Sequence, residues 1–144
     1  MNKFLIFLIL FLYGANTLSA EQTSIEFARY YNASVSAYRT HDFEKSLSAA
    51  IDANKIANSP FEKKSSLKLI LVVAAASSNV PLQQEALEAL LQLSDLSPVE
   101  ITEFKKALAH VSLAVVEDGK KKCVELGFTP GTEKFGTCVL QLTK

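Results

Sequence analysis

Three short segments set the architecture of this chain: Thr23-Ser-Ile-Glu26, Ser59-Pro-Phe-Glu62 and Ser97-Pro-Val-Glu100. Each has the form of a capping box. In such a box a hydroxyl accepts from the N–H three residues on, and the glutamate reaches back to the cap N–H, so that donors left orphaned at a helix start find partners. Proline follows the cap in two of the three, at the first helical position, where its missing N–H removes nothing. The starts lie 36 and 38 residues apart. That spacing falls in the range of helical solenoid units and predicts a repeated helical unit.

Apolar residues downstream of each box recur at helical rather than strand spacing. Ile101, Phe104, Leu108, Val111 and Val115 form the cleanest stripe, at steps of three and four. In the first unit the pattern breaks at Arg39-Thr-His-Asp42 and resumes with Phe43, Leu47, Ala50 and Ile51, which predicts a hairpin with Asp42 capping its second helix. The second unit breaks at Ser77-Ser-Asn-Val-Pro81 and resumes with Leu82, Ala86, Leu90 and Leu93. Its first helix carries Leu69 to Ala76 without a polar residue. That run is too short to span a bilayer and suits a middle hairpin covered on both sides; a buried strand is the alternative, against which the Leu and Ala content and the upstream box weigh. The expected fold class is all-α, a stack of antiparallel helical hairpins over residues 21–117.

Taken from Phe43 as the start of a second helix, Tyr30, Ser34, Ser46 and Ala53 fall at the large and small packing positions of a tetratricopeptide hairpin, and Ile70, Ala74, Ala86 and Leu93 fall close to the same places. Residues 24 to 96 thus resemble tetratricopeptide repeats, with departures: the tyrosine expected later in the first helix is displaced to Tyr38, the first unit lacks a closing proline, and the period exceeds that family's. The resemblance implies a groove lined by first helices, with Tyr31, Val35, Tyr38 and Leu71 facing it as peptide-binding residues. The same tyrosines can equally pack between hairpins, as buried aromatics do.

Beyond Val115, Asp118-Gly119 predicts a turn, Lys120 to Leu126 a short helix, and Thr129-Pro-Gly-Thr132 a reversal into a last helix ending near Leu142. The result would be a C-terminal cap, residues 118–144, of the same domain. It holds both cysteines, Cys123 and Cys138, whose spacing across a helical hairpin permits a bridge. Zinc would require four ligands, with only His41 and His110 to join the thiolates, and a redox pair favours Cys-x-x-Cys. A structural disulfide is the expectation, with no metal and no cofactor. The constellation Cys123, Gly127-Phe128, Gly131-Thr132, Phe135, Cys138 resembles a C-terminal segment of many small exported bacterial proteins and lipoproteins of undefined function. It implies a bacterial cell-envelope protein and no particular activity.

The N-terminus agrees with that compartment. A basic start at Lys3, an apolar stretch from Phe4 to Tyr13 and the small residues Ser19-Ala20 before Glu21 read as a secretory signal peptide, residues 1–20. The apolar stretch is too short for a permanent anchor, and Glu21 stands where a lipobox would need cysteine. Export to the periplasm or beyond, with no membrane association after cleavage, is the expectation, and an even cysteine pair suits an oxidising compartment.

Fifteen basic and fifteen acidic residues balance. Nucleic acid is not an expected partner, because no basic excess exists to neutralise phosphate, and Lys120-Lys121-Lys122 is too short a run to alter that. Catalysis is not expected either: there is no glycine elbow around a serine, no HExxH and no phosphate loop. His41 sits in a predicted turn and His110 beside a core stripe, and a general base needs a positioned partner. The leading expectation is a module that binds a protein or peptide in the envelope. The alternatives are a structural or stress protein without a groove, and an enzyme or inhibitor whose site the pattern hides. Intact-mass measurement of the exported chain should show the loss of residues 1–20 and a new N-terminus at Glu21; retention of Met1–Ala20 would contradict the signal assignment.

Overall fold

The computed structural model describes residues 24–143; the expected signal peptide, Thr23 and Lys144 lie outside them. Among the described residues the chain forms six α-helices: α1 (Ile25–Arg39), α2 (Phe43–Ile56), α3 (Pro60–Ala76), α4 (Val80–Leu91), α5 (Pro98–Glu125) and α6 (Glu133–Leu142). Each packs on its neighbours in the chain, and α1 also meets α3. This is an all-α stack of antiparallel hairpins ending in a short stapled one.

The helix starts follow local chemistry. Asp42, Ser59, Asn79, Ser97 and Thr132 each accept from the amide three residues on, so every one of these starts has a side-chain cap. Among the described residues only Ser97 and Glu100 complete the reciprocal box. At α1 the cap is Ser24, which accepts from the Phe27 amide at 3.2 Å, one residue later than the predicted Thr23. The shift has a partner 38 residues away: the Ser24 amide donates to Glu62 Oε1 at 2.7 Å, and the Asn58 amide donates to Glu62 Oε2 at 2.7 Å. The glutamate of the second predicted box therefore directs its carboxylate chiefly beyond its own cap and ties the start of α1 to the α2–α3 connection.

The first hairpin closes on small residues. Ser34 and Ser46 are fully buried, and each hydroxyl donates to the other's carbonyl, at 2.8 and 2.9 Å. The buried polar groups are thus satisfied in a reciprocal pair, and α1 and α2 can approach closely. α3 is the middle layer. Leu67 and every residue from Leu69 to Ala74 are buried, so it is helical and apolar all round, as a helix covered on several sides must be. Leu87 and Leu90 of α4 and Phe104 and Val111 of α5 complete the same core.

Two expectations for the tail are corrected. Asp118-Gly119 is no turn: α5 runs unbroken for 28 residues, Asp118 pairs with Lys122 one helical turn on at 2.7 Å, and Gly119 is buried where α6 crosses. A Cβ there would lie 2.8 Å from Thr143 Cγ2, so this glycine serves a close helix approach rather than a bend. Nor does the tail close the stack, for among the described residues α6 packs on α5 alone.

Glu62 is 2% exposed. Burial by itself would raise its pKa, but the Asn58 and Ser24 amides outweigh it and hold the carboxyl below its ordinary value. Glu100 behaves alike: burial works upward, whereas the Ser97 amide, Lys68 and the Ser97 hydroxyl bring it to about 2. For groups whose folded pKa is depressed, the stabilisation is complete above the ordinary value of 4.5 and is lost as pH falls through the folded value. Thermal melts should therefore show stability unchanged on descending to about pH 5 and falling between there and about pH 2, with a smaller acid loss in Glu62→Ala. At neutral pH Glu62→Ala should destabilise by about 2–4 kcal/mol, as two amides lose a charged acceptor.

Candidate functional site

The four residues expected to line a groove all belong to the packing of the core. Leu71 is buried in the core and presents no surface. Tyr31, Val35 and Tyr38 are half-buried against that core. Tyr31 stacks on Phe27 with ring centroids 5.6 Å apart, and Tyr38 meets Phe43 at 5.9 Å. Burial pushes the Tyr31 phenol above its ordinary pKa. The first pair lies within α1, one turn apart, and the second joins α1 to α2.

A second concavity lies on the outer side of the first hairpin, about 500 Å³, lined by Tyr30, Asp42, Glu44, Lys45, Ser48 and Asp52 among others. Two of its carboxylates already have structural duties. Asp42 caps α2 through the Lys45 amide, and Asp52 pairs with Lys55 at 2.9 Å. His41, beside it, occupies the left-handed region at φ 61° in the α1–α2 turn and is exposed. His110, beside the core stripe, is exposed on α5. Among the described residues no group of three His, Cys, Asp or Glu side chains is placed to hold a metal ion.

The surface that lacks a structural explanation is at the other end. Val111 is the last α5 residue in the common core, and the fourteen residues from Ser112 to Glu125 run on past it, about 21 Å of helix at 1.5 Å per residue. A Schellman closure ends this helix: the Gly127 amide donates to the Val124 carbonyl at 2.9 Å and the Phe128 amide to the Cys123 carbonyl at 3.0 Å, with Gly127 at φ 88°, a conformation that favours glycine. Gly131, at φ 84°, completes the reversal, and Thr132 caps α6 through the Phe135 amide at 3.2 Å. Cys123 and Cys138 are bridged, with Cα atoms 6.0 Å apart, and both are buried.

This stapled hairpin leaves apolar side chains outside. Leu126 is 67% and Leu140 64% exposed, and Val124, Phe128 and Leu142 are exposed as well. Phe128 is 36% exposed. Single exposed apolar residues are ordinary; here five fall between Val124 and Leu142. Sequence reasoning passed over these positions because it took the tail as a cap. The available signal was α6 itself, which has apolar residues at Phe135, Val139, Leu140 and Leu142 around more of its circumference than one neighbour can cover.

The chain matches no family model, no curated protein and no solved structure. Among the described residues no helix is long and apolar enough to cross a membrane.

A ten-residue helix has little stability of its own in water, and among the described residues α6 has only α5 and the bridge to hold it. Replacing both cysteines by serine should remove about 3 kcal/mol of stabilisation from the hairpin, the value expected for a loop of this length. NMR chemical shifts of residues 133–142 should then lose their helical signature while those of α1 to α4 stay fixed; a collapse of the whole fold would contradict the hairpin's independence.

Proposed function

We propose that this is an exported helical-repeat protein of the cell envelope that acts as a protein interaction module, with the stapled hairpin as its contact surface and the helical stack as its rigid support. One observation carries the reading: among the described residues α6 packs on α5 alone while Leu126, Phe128, Leu140 and Leu142 stand exposed on a covalently locked element. Burying such side chains is the main driving force of association, and fixing the surface before binding reduces the entropy lost on contact. The bridge also fits an oxidising compartment, and with it the secretory signal expected at residues 1–20.

The seam of Tyr31, Val35 and Tyr38 has a lesser part in this reading, since its rings already pack within the stack. A photo-crosslinking residue placed at Leu140 in the exported protein should yield adducts with a second, different polypeptide in living cells. The same group at Ser48, on the outer side of α2, should yield none. Equal labelling from both positions, or none from Leu140, would overturn the assignment.

A further inference from the structure

A separate surface of α5 carries its own pattern. Leu113, Glu117, Lys120 and Val124 follow one another at steps of four, three and four, so they form one stripe along the helix. The stripe is open: Leu113 is 60% and Val124 50% exposed, and the Glu117 and Lys120 side chains are about half exposed, bonded to each other at 2.7 Å. It lies on the part of α5 beyond the common core. Glu117 and Lys120 bond to each other and not to the stack or to α6.

Read forward, the stripe runs apolar, acid, base, apolar; read backward, it runs apolar, base, acid, apolar. A second copy laid antiparallel therefore sets Leu113 against the second copy's Val124 and Glu117 against the second copy's Lys120, and the two-fold axis repeats both contacts. A parallel copy would set Glu117 against Glu117 and Lys120 against Lys120. Self-complementarity under two-fold rotation is the defining property of an isologous interface, and opposite charges in register suppress the wrong alignment while permitting the right one. We infer that the protein forms an antiparallel homodimer through this face of α5. The contact is one helix face wide, so it belongs with small, reversible interfaces. It goes beyond the proposed function, which concerns the hairpin's other exposed residues and a different partner.

Two charge reversals test it in trans. Glu117→Lys gives a chain with two lysines in the stripe, and Lys120→Glu gives one with two glutamates; both positions are exposed, and circular dichroism verifies that the variants fold. In sedimentation velocity at about 0.1 mM, a concentration suited to a small interface, the wild-type chain should sediment as a dimer. Each variant alone should be monomeric, because like charges then oppose across the axis. The two mixed in equal amounts should recover the dimer, since the all-lysine stripe of one chain then lies against the all-glutamate stripe of the other. Neither variant can restore its own internal pair, so recovery in the mixture reports contact between chains. A monomeric wild type, variants that dimerise as well as the wild type, or a mixture that stays monomeric would each overturn the inference.

Discussion

The burial of α3 is the constraint on which the rest of the structure depends. This helix meets α1, α2 and α4, and its apolar run from Leu69 to Ala74 is buried at every position. A run of that kind has no stable exposed face, so both hairpins must close over it. Polar residues of its first turns then position what surrounds it. Glu62 holds the Ser24 and Asn58 amides; Lys64 reaches the Asp95 carboxylate at 3.1 Å, and Lys68 reaches Glu100 at 2.9 Å. The beginnings of α1, α3 and α5 are thereby stitched together along one edge by side chains from α3 and a glutamate of α5. These pairs are partly or wholly shielded from water, where one missing partner leaves an uncompensated polar group. Lys68 also lies 5.8 Å from the centre of the Phe104 ring, joining the polar edge to the core.

The molecule consequently has two unlike ends. In the stack the core side chains are buried while Ile25, Phe61 and Val99 stand exposed at helix starts, and every buried side-chain polar atom among the described residues has a partner. Past Val111 the chain stops contributing to that core, and α5 with α6 forms an element held by a bridge, a glycine contact and a few apolar side chains. The core determines where this element points, and the bridge determines its shape. Such a division suits a binding protein, because contacts made by a preorganised surface lose less to ordering.

Much of this was legible in the sequence because helix starts are local events. Asp42, Ser59, Ser97 and Thr132 cap helices for the reason their side chains suggest, and the breaks at Arg39–Asp42 and Ser77–Pro81 fall where the hairpins turn. The disulfide followed from the spacing and the expected compartment. The departures are all tertiary. Glu62 has the spacing of a reciprocal box, but its carboxylate is drawn to the amides of Ser24 and Asn58, which no local pattern announces. Asp118-Gly119 has turn chemistry, yet the approach of α6 supplies another reason for a residue without a side chain. Leu71 and Tyr31 share a helical face with groove positions, and periodicity does not distinguish a face turned to a ligand from one turned to the next helix. The exposure of Leu126 and Leu140 depends on how far α5 runs past its last core contact, a length set by packing.

Residue-resolved hydrogen exchange on the oxidised wild-type chain tests most directly the claim that one buried helix organises the stack and that the hairpin stands apart from it. Local opening energies range from near zero to the global stability, according to how each segment is packed. The slowest amides should lie in α3, from Leu67 to Ala74, followed by the facing turns of α2 and α4. Those of α6 and of α5 beyond Val111 should exchange markedly faster, in a separate unit. Protection of α6 equal to that of α3, or an α3 that opens before its neighbours, would contradict this account.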